Sequence, residues 1–515
     1  MLTLTALPSL TYSTILSIDD RGDRKGSAIE LVGIATARGK ASMRRRCECF
    51  RSSFRGRRLW GKLLQAGVTM KRQYNSVPYD LYRSANGMTV TERAGITGRY
   101  WALVVMTMVY AINIADRFVL STLIEPIKAE FHLSDSAVGF LTGVSLALFY
   151  TAAGLPLGAL ADRVNRRNML CWAVVLWSLF TVFCGLAQNF VQLMLARIGV
   201  GVGEAGGTPP ANSILADYFP PTERVFAMSV FACGIAIGSG VGGIGAGLLA
   251  DHFGWRHGLI LFSCLSLPVL VLLLTVREPV RGLTDTHHGA TEQVGFLEVL
   301  RFIAGQRALL HVIAGATIAT YSGMGLIWWT PAFLSRSHGF SVGDAGVAVG
   351  LMGGVGGAFA LIGTSAITLK LARLPIKWQC HFLASVTLLI TVPAVAAHLV
   401  EGRVAAIALL WLFVPFANVY VGPTLALLQN LTRPNMRGVT LAVTLFTTNI
   451  ANLAIAPQLI GFLSDLLSRH IADPHQSLRI ALAFSGLTGI WGAAHFWLAI
   501  RALPQDLARA GTAVT

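Results

Sequence analysis

Four charged residues stand inside stretches that are otherwise apolar. Asp116 and Arg117 lie within the run 100–124, and Arg197 and Glu204 within the run 190–215. A charge at the centre of a membrane helix costs about 2.5–3.5 kcal/mol on insertion scales, so such residues persist only when paired, hydrated or used. The seven-residue step from Arg197 to Glu204 is two helical turns less about 20°, which puts both on one helix face, roughly 10 Å apart along the axis. If the two runs cross in opposite directions, Asp116 and Arg197 share a depth roughly 6–8 Å to the extracellular side of the middle, with Glu204 nearer the centre. An Asp116–Arg197 ion pair is then geometrically allowed, and Glu204 has Arg197 or Arg117 as its cation. Desolvation favours the protonated form of a carboxylate, while a neighbouring arginine favours the ionised form. The chemistry within reach is proton exchange. Asp116 and Glu204 would carry the proton, and Arg197 would be the cation for which either acid, or an anionic substrate, competes. A static salt-bridge network holding two helices together is the competing reading.

A second constellation, Gly158-Ala-Leu-Ala-Asp162-Arg163-Val-Asn-Arg166-Arg167, ends the second apolar run. Gly158 permits close helix approach, Asp162 can accept hydrogen bonds or face a helix N-terminus, and the arginines suit the cytoplasmic side. At this spacing and place the block resembles the signature loop of the major facilitator superfamily. The resemblance implies that the acid and arginines hold a cytoplasmic gate shut in one state; a topology anchor without gating is the alternative. Asp116-Arg117, Arg197-Ile-Gly-Val-Gly-Val-Gly-Glu204-Ala, Trp329-Thr-Pro331-Ala-Phe-Leu and Gly461-Phe-Leu-Ser-Asp465 further resemble the spinster branch, over roughly 97–500. That branch implies a proton-coupled or facilitative carrier, and some of its members move lysolipids and sphingosine phosphates.

The elements that must position these groups follow from the bilayer. A hydrocarbon core of about 30 Å needs roughly 20 apolar residues per helix. Twelve stretches qualify: 100–124, 137–160, 169–187, 190–215, 226–250, 257–276, 307–334, 343–368, 378–399, 404–430, 438–465 and 478–500. The polar connection 277–306 divides them six and six. Alternate short loops carry 12 Lys and Arg on the side of 161–168 and 277–306, against 5 on the other, so both termini should be cytoplasmic. The expected fold is all-α: a polytopic membrane protein of twelve transmembrane helices in two six-helix bundles, 98–276 and 307–501. A basic, disordered extension (1–97), the cytoplasmic central loop (277–306) and a cytoplasmic tail (502–515) complete it.

Composition agrees, with 54% hydrophobic and 13% charged residues. Residues 1–99 hold 18 of the 41 Lys and Arg against 7 of the 25 Asp and Glu, so most of the formal +16 charge precedes the first long run. That leader lacks amphipathic order and nucleic-acid motifs, which argues against nucleic-acid binding. Met70 and Met88 are alternative starts within it, and no signal peptide is evident. Cys47 and Cys49 have no second ligand pair nearby, so no metal is expected, nor is a disulfide. No Walker loop is present, which speaks against ATP-driven transport.

The fifth run contains Gly234, Gly238, Gly240, Gly242, Gly243, Gly245 and Gly247, a pattern for close backbone approach. In the second half the equivalent of the signature loop, from Gly363 to Arg373, has no acid. Polar residues there that could meet substrate are Tyr321, Trp328, Trp329, Asn418, Tyr420, Gln429, Asn449 and Asn452, although helix-packing hydrogen bonds would use the same groups.

These readings combine into a secondary transporter working by alternating access, coupled to protons, for a small organic anion or anionic amphiphile. Arg117 and Arg197 favour the anion. A facilitative lysolipid exporter and a membrane sensor without transport are the alternatives. An enzyme is not expected, for want of a nucleophile–base set. The expected partners are a small molecule, protons and the lipid bilayer, with no cofactor, and the setting a monomer in a bacterial inner membrane.

Overall fold

A backbone N–H in hydrocarbon has no water to bond, so an apolar run must satisfy itself as helix. The computed structural model follows that rule from Gly95 onward. It describes residues 15–17, 30–32, 95–281, 294–371, 373–471 and 473–510, and every regular element among those from 95 onward is helical. Two three-residue strands, Ile15–Ser17 and Glu30–Val32, pair antiparallel with Ile15 opposite Val32. The rest of the leader lies outside the described residues, with its expected disorder, the starts at Met70 and Met88, and Cys47 and Cys49.

Ten described segments are long and apolar enough to cross a membrane. One of them, Pro221–Thr275, makes two crossings, because Gly254 at φ 77°, ψ 160° turns the chain in a conformation that side chains with a Cβ rarely adopt. A further crossing is built from two shorter helices, Phe190–Ala205 and Thr208–Tyr218, interrupted at Gly206 and Gly207. Pro209 and Pro210 open its second piece, and their missing N–H groups prevent one continuous helix. Twelve crossings result among the described residues. The first six are Gly98–Thr122, Asp135–Ala161, Arg166–Leu186, 190–218, 221–253 and 255–275. The last six are Arg307–His338, Val342–Leu371, Lys377–Leu399, Arg403–Asn430, Pro434–Ser468 and His475–Ala510.

Three helical pieces fall where loops or a tail were expected. Ile124–Phe131 follows the first crossing. Within the central connection, Phe296–Ala304 buries Val299 and Ile303 against Leu309, Val312 and Leu427. The last helix runs to Ala510, beyond its expected end at 501. The reason is specific: Asp506 accepts a 2.6 Å hydrogen bond from the Ala308 backbone N–H at the start of the seventh crossing, and Arg509 donates to the Gly305 carbonyl at 2.6 Å. A carboxylate at a helix start satisfies otherwise orphaned N–H groups.

Glycines set the helix spacing. Gly234, Gly238 and Gly242, four residues apart, face the first crossing, and a Cβ on Gly242 would stand 2.5 Å from the Ala115 carbonyl oxygen. Gly243 and Gly247 face the eighth crossing, where a Cβ would lie 2.9 Å from the carbonyl oxygens of Gly346 and Val342. Gly139 packs on the Pro457 carbonyl, and Gly143 on that of Leu453 at 2.8 Å. The fifth crossing thus abuts the eighth, and the second abuts the eleventh. Each pairs one of the first six helices with one of the last six. Three of these four helices carry a π-helical turn: Phe140–Val144, Met352–Gly356 and Ile450–Ile455. Toward the signature-loop end the same helices separate: a Cβ on Gly154, Gly158, Gly357, Gly363 or Gly438 would meet nothing within 4 Å. Gly158, expected to permit close approach, therefore faces open space here, because the seams close only at the opposite end.

A matched pair of substitutions checks this packing. Gly238→Ala should destabilise the solubilised protein by about 1–3 kcal/mol, as overpacking against backbone does. Gly158→Ala should leave the melting temperature unchanged. Equal melting of the two variants would remove the contact between the fifth and first crossings.

Candidate functional site

The first and fourth crossings bring the four charges of the sequence analysis together. Arg197 Nη1 donates to Asp116 Oδ2 at 3.2 Å, and Thr181 Oγ1 of the third crossing donates to Asp116 Oδ1 at 2.6 Å. Arg117 Nε donates to Glu204 Oε2 at 2.7 Å. Asp116 and Arg197 are buried, Glu204 is fully so, and the Arg117 side chain retains 12% exposure. In place of one Arg197 shared by two acids, the structure has two separate pairs. The reason lies in helix geometry: Arg117 is rotated about 100° from Asp116 around the first crossing and so meets a different stretch of the fourth. The Arg117 guanidinium also stands over the Tyr150 ring, 4.9 Å from its centre.

Several buried polar atoms beside these pairs have no hydrogen-bond partner: Glu204 Oε1, Arg197 Nε, both amide atoms of Asn113, and Trp177 Nε1. Buried polar groups are nearly always satisfied, so a cluster of orphans marks a place for water or a ligand group. Gly207 locates it. A Cβ there would lie 3.9 Å from Asn113 Nδ2 and 3.5 Å from the Trp177 ring, at the break that follows Glu204. Helices interrupted near mid-membrane are where transporters build binding sites. Sequence reasoning missed Asn113, Tyr150, Trp177 and Thr181. Asn113 was legible, three residues before Asp116 on the same face; the others, Tyr150 on the second crossing and Trp177 and Thr181 on the third, carried no signal.

Both guanidinium groups border one narrow pocket, which Ser121, Thr142, Trp328 and Pro457 also line. Trp328 reaches it from the seventh crossing. Its carbonyl accepts from Ser121 Oγ at 2.6 Å, its ring centre is 4.8 Å from that of Phe118, and its Nε1 donates to Asn452 Oδ1 at 2.7 Å. The remaining second-half candidates do not line it. Tyr321 O–H donates to Ser485 at 3.3 Å, Trp329 Nε1 donates to the Pro457 carbonyl at 3.3 Å, and the Tyr420 hydroxyl lies 2.5 Å from that of Thr320. Asn418 is exposed and donates to Met324 Sδ at 3.4 Å, and Asn449 is half-buried. Tyr321, Trp329 and Tyr420 thus spend their polar groups on helix packing.

The signature loop divides into anchored and free parts. Arg166 is buried, donating to Glu278 at 2.7 Å, Ser213 at 2.8 Å and Asp217 at 2.5 Å. The Arg167 backbone N–H donates to Glu278 Oε2 at 2.9 Å. Asp162 and Arg163 are exposed, and the Asp162 carbonyl accepts from Arg281. All these contacts stay within the first six helices and the start of the central connection, so here the loop closes nothing against the last six.

Closure lies at the opposite end. Arg336 of the seventh crossing grips Asp135 of the second with two 2.8 Å hydrogen bonds and Glu125 with a third, also at 2.8 Å. Lys128 and Ser464 bond the same Asp135 carboxylate. In the sequence Lys128 and Arg336 counted only as loop charges, Ser464 only as part of the Gly461–Asp465 motif, and Glu125 and Asp135 carried no signal.

Removing one partner of a buried ion pair strands the other, at about 3–5 kcal/mol. Arg117→Met should therefore lower thermal stability sharply, and adding Glu204→Gln to the same chain should recover most of the loss. Thermal denaturation of the three solubilised chains measures this; equal loss in single and double variants would show that the two side chains are not coupled.

Comparison with known proteins places this geometry. The Major Facilitator Superfamily pattern matches residues 106–457. An MFS-type efflux pump of Mycolicibacterium smegmatis is 30% identical over 416 residues, covering 79% of this chain and 94% of that protein. Protein spinster homolog 3 of Danio rerio is 26% identical, covering 79% and 86%. Among solved structures, a bacterial homologue of the human lysosomal transporter spinster, inward-facing and unoccupied, superposes with a TM-score of 0.70 at 28% identity, covering 79% of this chain and 98% of that one. The chain therefore belongs to the major facilitator superfamily, in its spinster-like branch, and is a multi-pass membrane transporter rather than an enzyme.

Proposed function

We propose that the protein is a proton-coupled secondary transporter of a small organic anion or anionic amphiphile. The observation that carries this reading is the pair of arginines bordering one pocket, each already engaged by a buried acid. Arg117 retains some exposure and Arg197 Nε has no partner, so both can turn hydrogen bonds toward an entering anion. An anion that draws a guanidinium away leaves Asp116 or Glu204 without its countercharge in a low-dielectric setting. A carboxylate so stranded is best accommodated by taking up a proton. Glu204 Oε1, with no hydrogen-bond partner, is the atom poised to receive it. Anion and proton thereby bind together, and neither acid needs to be ionised without a cation at any step. Trp328, joined to Ser121 and Asn452, would present an aromatic wall to the apolar part of the substrate.

Alternating access would come from two six-helix halves, the crossings before residue 276 and those after 307, rocking about this pocket. With the signature loop cytoplasmic, as the charge count favours, the described conformation is open toward the cytoplasm and both termini lie there. The bacterial homologue solved in an inward-facing state supports that assignment. The protein would act as a monomer in a bacterial inner membrane.

Proteoliposomes under an imposed pH gradient test the proposal against a panel of organic anions and lysolipids. The gradient should accelerate uptake of at least one, and Glu204→Gln should abolish the accelerated component while expression stays intact. Undiminished gradient-driven transport by that variant would remove Glu204 from coupling. Uptake indifferent to the gradient would favour facilitative export of an amphiphile.

A further inference from the structure

Three helix ends repeat one pattern. Gly158-Ala-Leu160-Ala-Asp162 ends the second crossing, Gly247-Leu-Leu249-Ala-Asp251 the fifth, and Gly461-Phe-Leu463-Ser-Asp465 the eleventh. At the corresponding place the eighth crossing has Gly363-Thr-Ser365-Ala-Ile367, which keeps the glycine and lacks the acid. The fifth- and eleventh-crossing copies lie at the closed end, the other two at the open end.

Both closed-end copies are seated on the first turn of a helix from the opposing six. Asp465 Oδ1 and Oδ2 accept from the backbone N–H groups of Asp135 and Ser136 at 2.9 and 2.8 Å. Asp251 Oδ2 accepts from Ser341 Oγ at 2.9 Å, and Ser341 is the N-cap of the eighth crossing, its hydroxyl accepting from the Asp344 N–H at 3.0 Å. The Asp251 carboxylate lies so close to Gly343 that a Cβ there would overlap it. The glycine of each unit packs on the same partner turn: Gly461 on the Asp135 carbonyl, Gly247 on that of Val342.

The open-end copies are empty in the same two respects. Gly158 and Gly363 would meet nothing within 4 Å. Asp162 is exposed, and its carboxylate makes no hydrogen bond among the described residues. Nothing in this conformation demands a glycine at 158 or 363, whereas the seated copies show what the demand is: close approach to the start of a facing helix.

We propose that Asp251 and Asp465 are paired latches of the closed end, each a carboxylate seated on the first turn of a helix from the opposing half. The opposite closure has a single counterpart, Asp162, because Ile367 stands where the fourth acid would be. The inference rests on the alternating-access reading and is independent of proton coupling. Carboxylates at helix starts are stabilised by unpaired N–H groups and the helix dipole, so two latches against one weight the equilibrium toward the state open at the signature-loop end. Reversing that state requires both to release, and a substrate drives the reversal only through tighter binding to the other conformation.

The test reads conformation, not transport. Spin labels on His132→Cys and His470→Cys, exposed on opposing halves at the closed end, report its opening in the full chain in nanodiscs, with other accessible cysteines replaced. Asp465→Ala and Asp251→Ala should each raise the ratio of long to short inter-label distances by on the order of tenfold, the equivalent of one hydrogen bond to a charged group. Ile367→Asp, at the position that Asp162 holds in the second-crossing copy, should also raise it by supplying the missing latch to the opposite closure. Asp162→Ala should not raise it. Distances unmoved by both closed-end substitutions, or unmoved by Ile367→Asp, overturn the proposal. A rise with Asp162→Ala equal to that with Asp465→Ala also overturns it, by showing general loosening instead of a latch.

Discussion

Burying a guanidinium and a carboxylate together repays their desolvation only when geometry is good and the remaining hydrogen-bonding positions are filled. At the centre of this protein the first condition is met twice, in Asp116–Arg197 and Arg117–Glu204, and the second is met only in part. Much of the architecture can be read as service to that unfinished network. Thr181 of the third crossing completes Asp116, Tyr150 of the second shields Arg117, and the break after Glu204 leaves orphaned polar atoms beside the acid. A site that is paired but incompletely satisfied is stable enough to fold and still has room for a ligand.

The helices around it are held by contacts of two kinds. Within the first six, glycine faces fix the fifth crossing against the first, and Arg166 with Asp217 and Glu278 fastens the ends of three others. Across the two sixes, the seams run between the second and eleventh crossings and between the fifth and eighth, with π-helical turns in three of those four helices. Such turns recur at functional sites, because one extra residue re-aims every side chain that follows. Rigid packing within each six and backbone-close but ion-latched contact between them is the combination a rocking mechanism needs.

Charge is used differently at three depths. In the middle it is paired and buried; at the closed end it is clustered around Asp135 and shared between crossings; at the open end Asp162 and Arg163 stand in solvent. Strong electrostatics in the first two places follows from low exposure, since exposed pairs contribute little.

Sequence alone determined the number of crossings, the grouping of Asp116, Arg117, Arg197 and Glu204, and the family. Length of apolar run, helical periodicity and motif spacing are local properties, and membrane insertion leaves a chain few other ways to satisfy them. It did not determine which arginine meets which acid, because a 100° step around the first helix decides that, and only packing against the fourth helix says where the step points. Nor did it show that Trp328 alone of the second-half candidates lines the arginine pocket, while Tyr321, Trp329 and Tyr420 serve their neighbours. The closed-end cluster was invisible for the same reason: Glu125, Asp135, Arg336 and Ser464 come from separate loops and crossings. Which face each helix turns to its neighbours, and so which charges meet, is a property of the assembled bundle and not of any one segment.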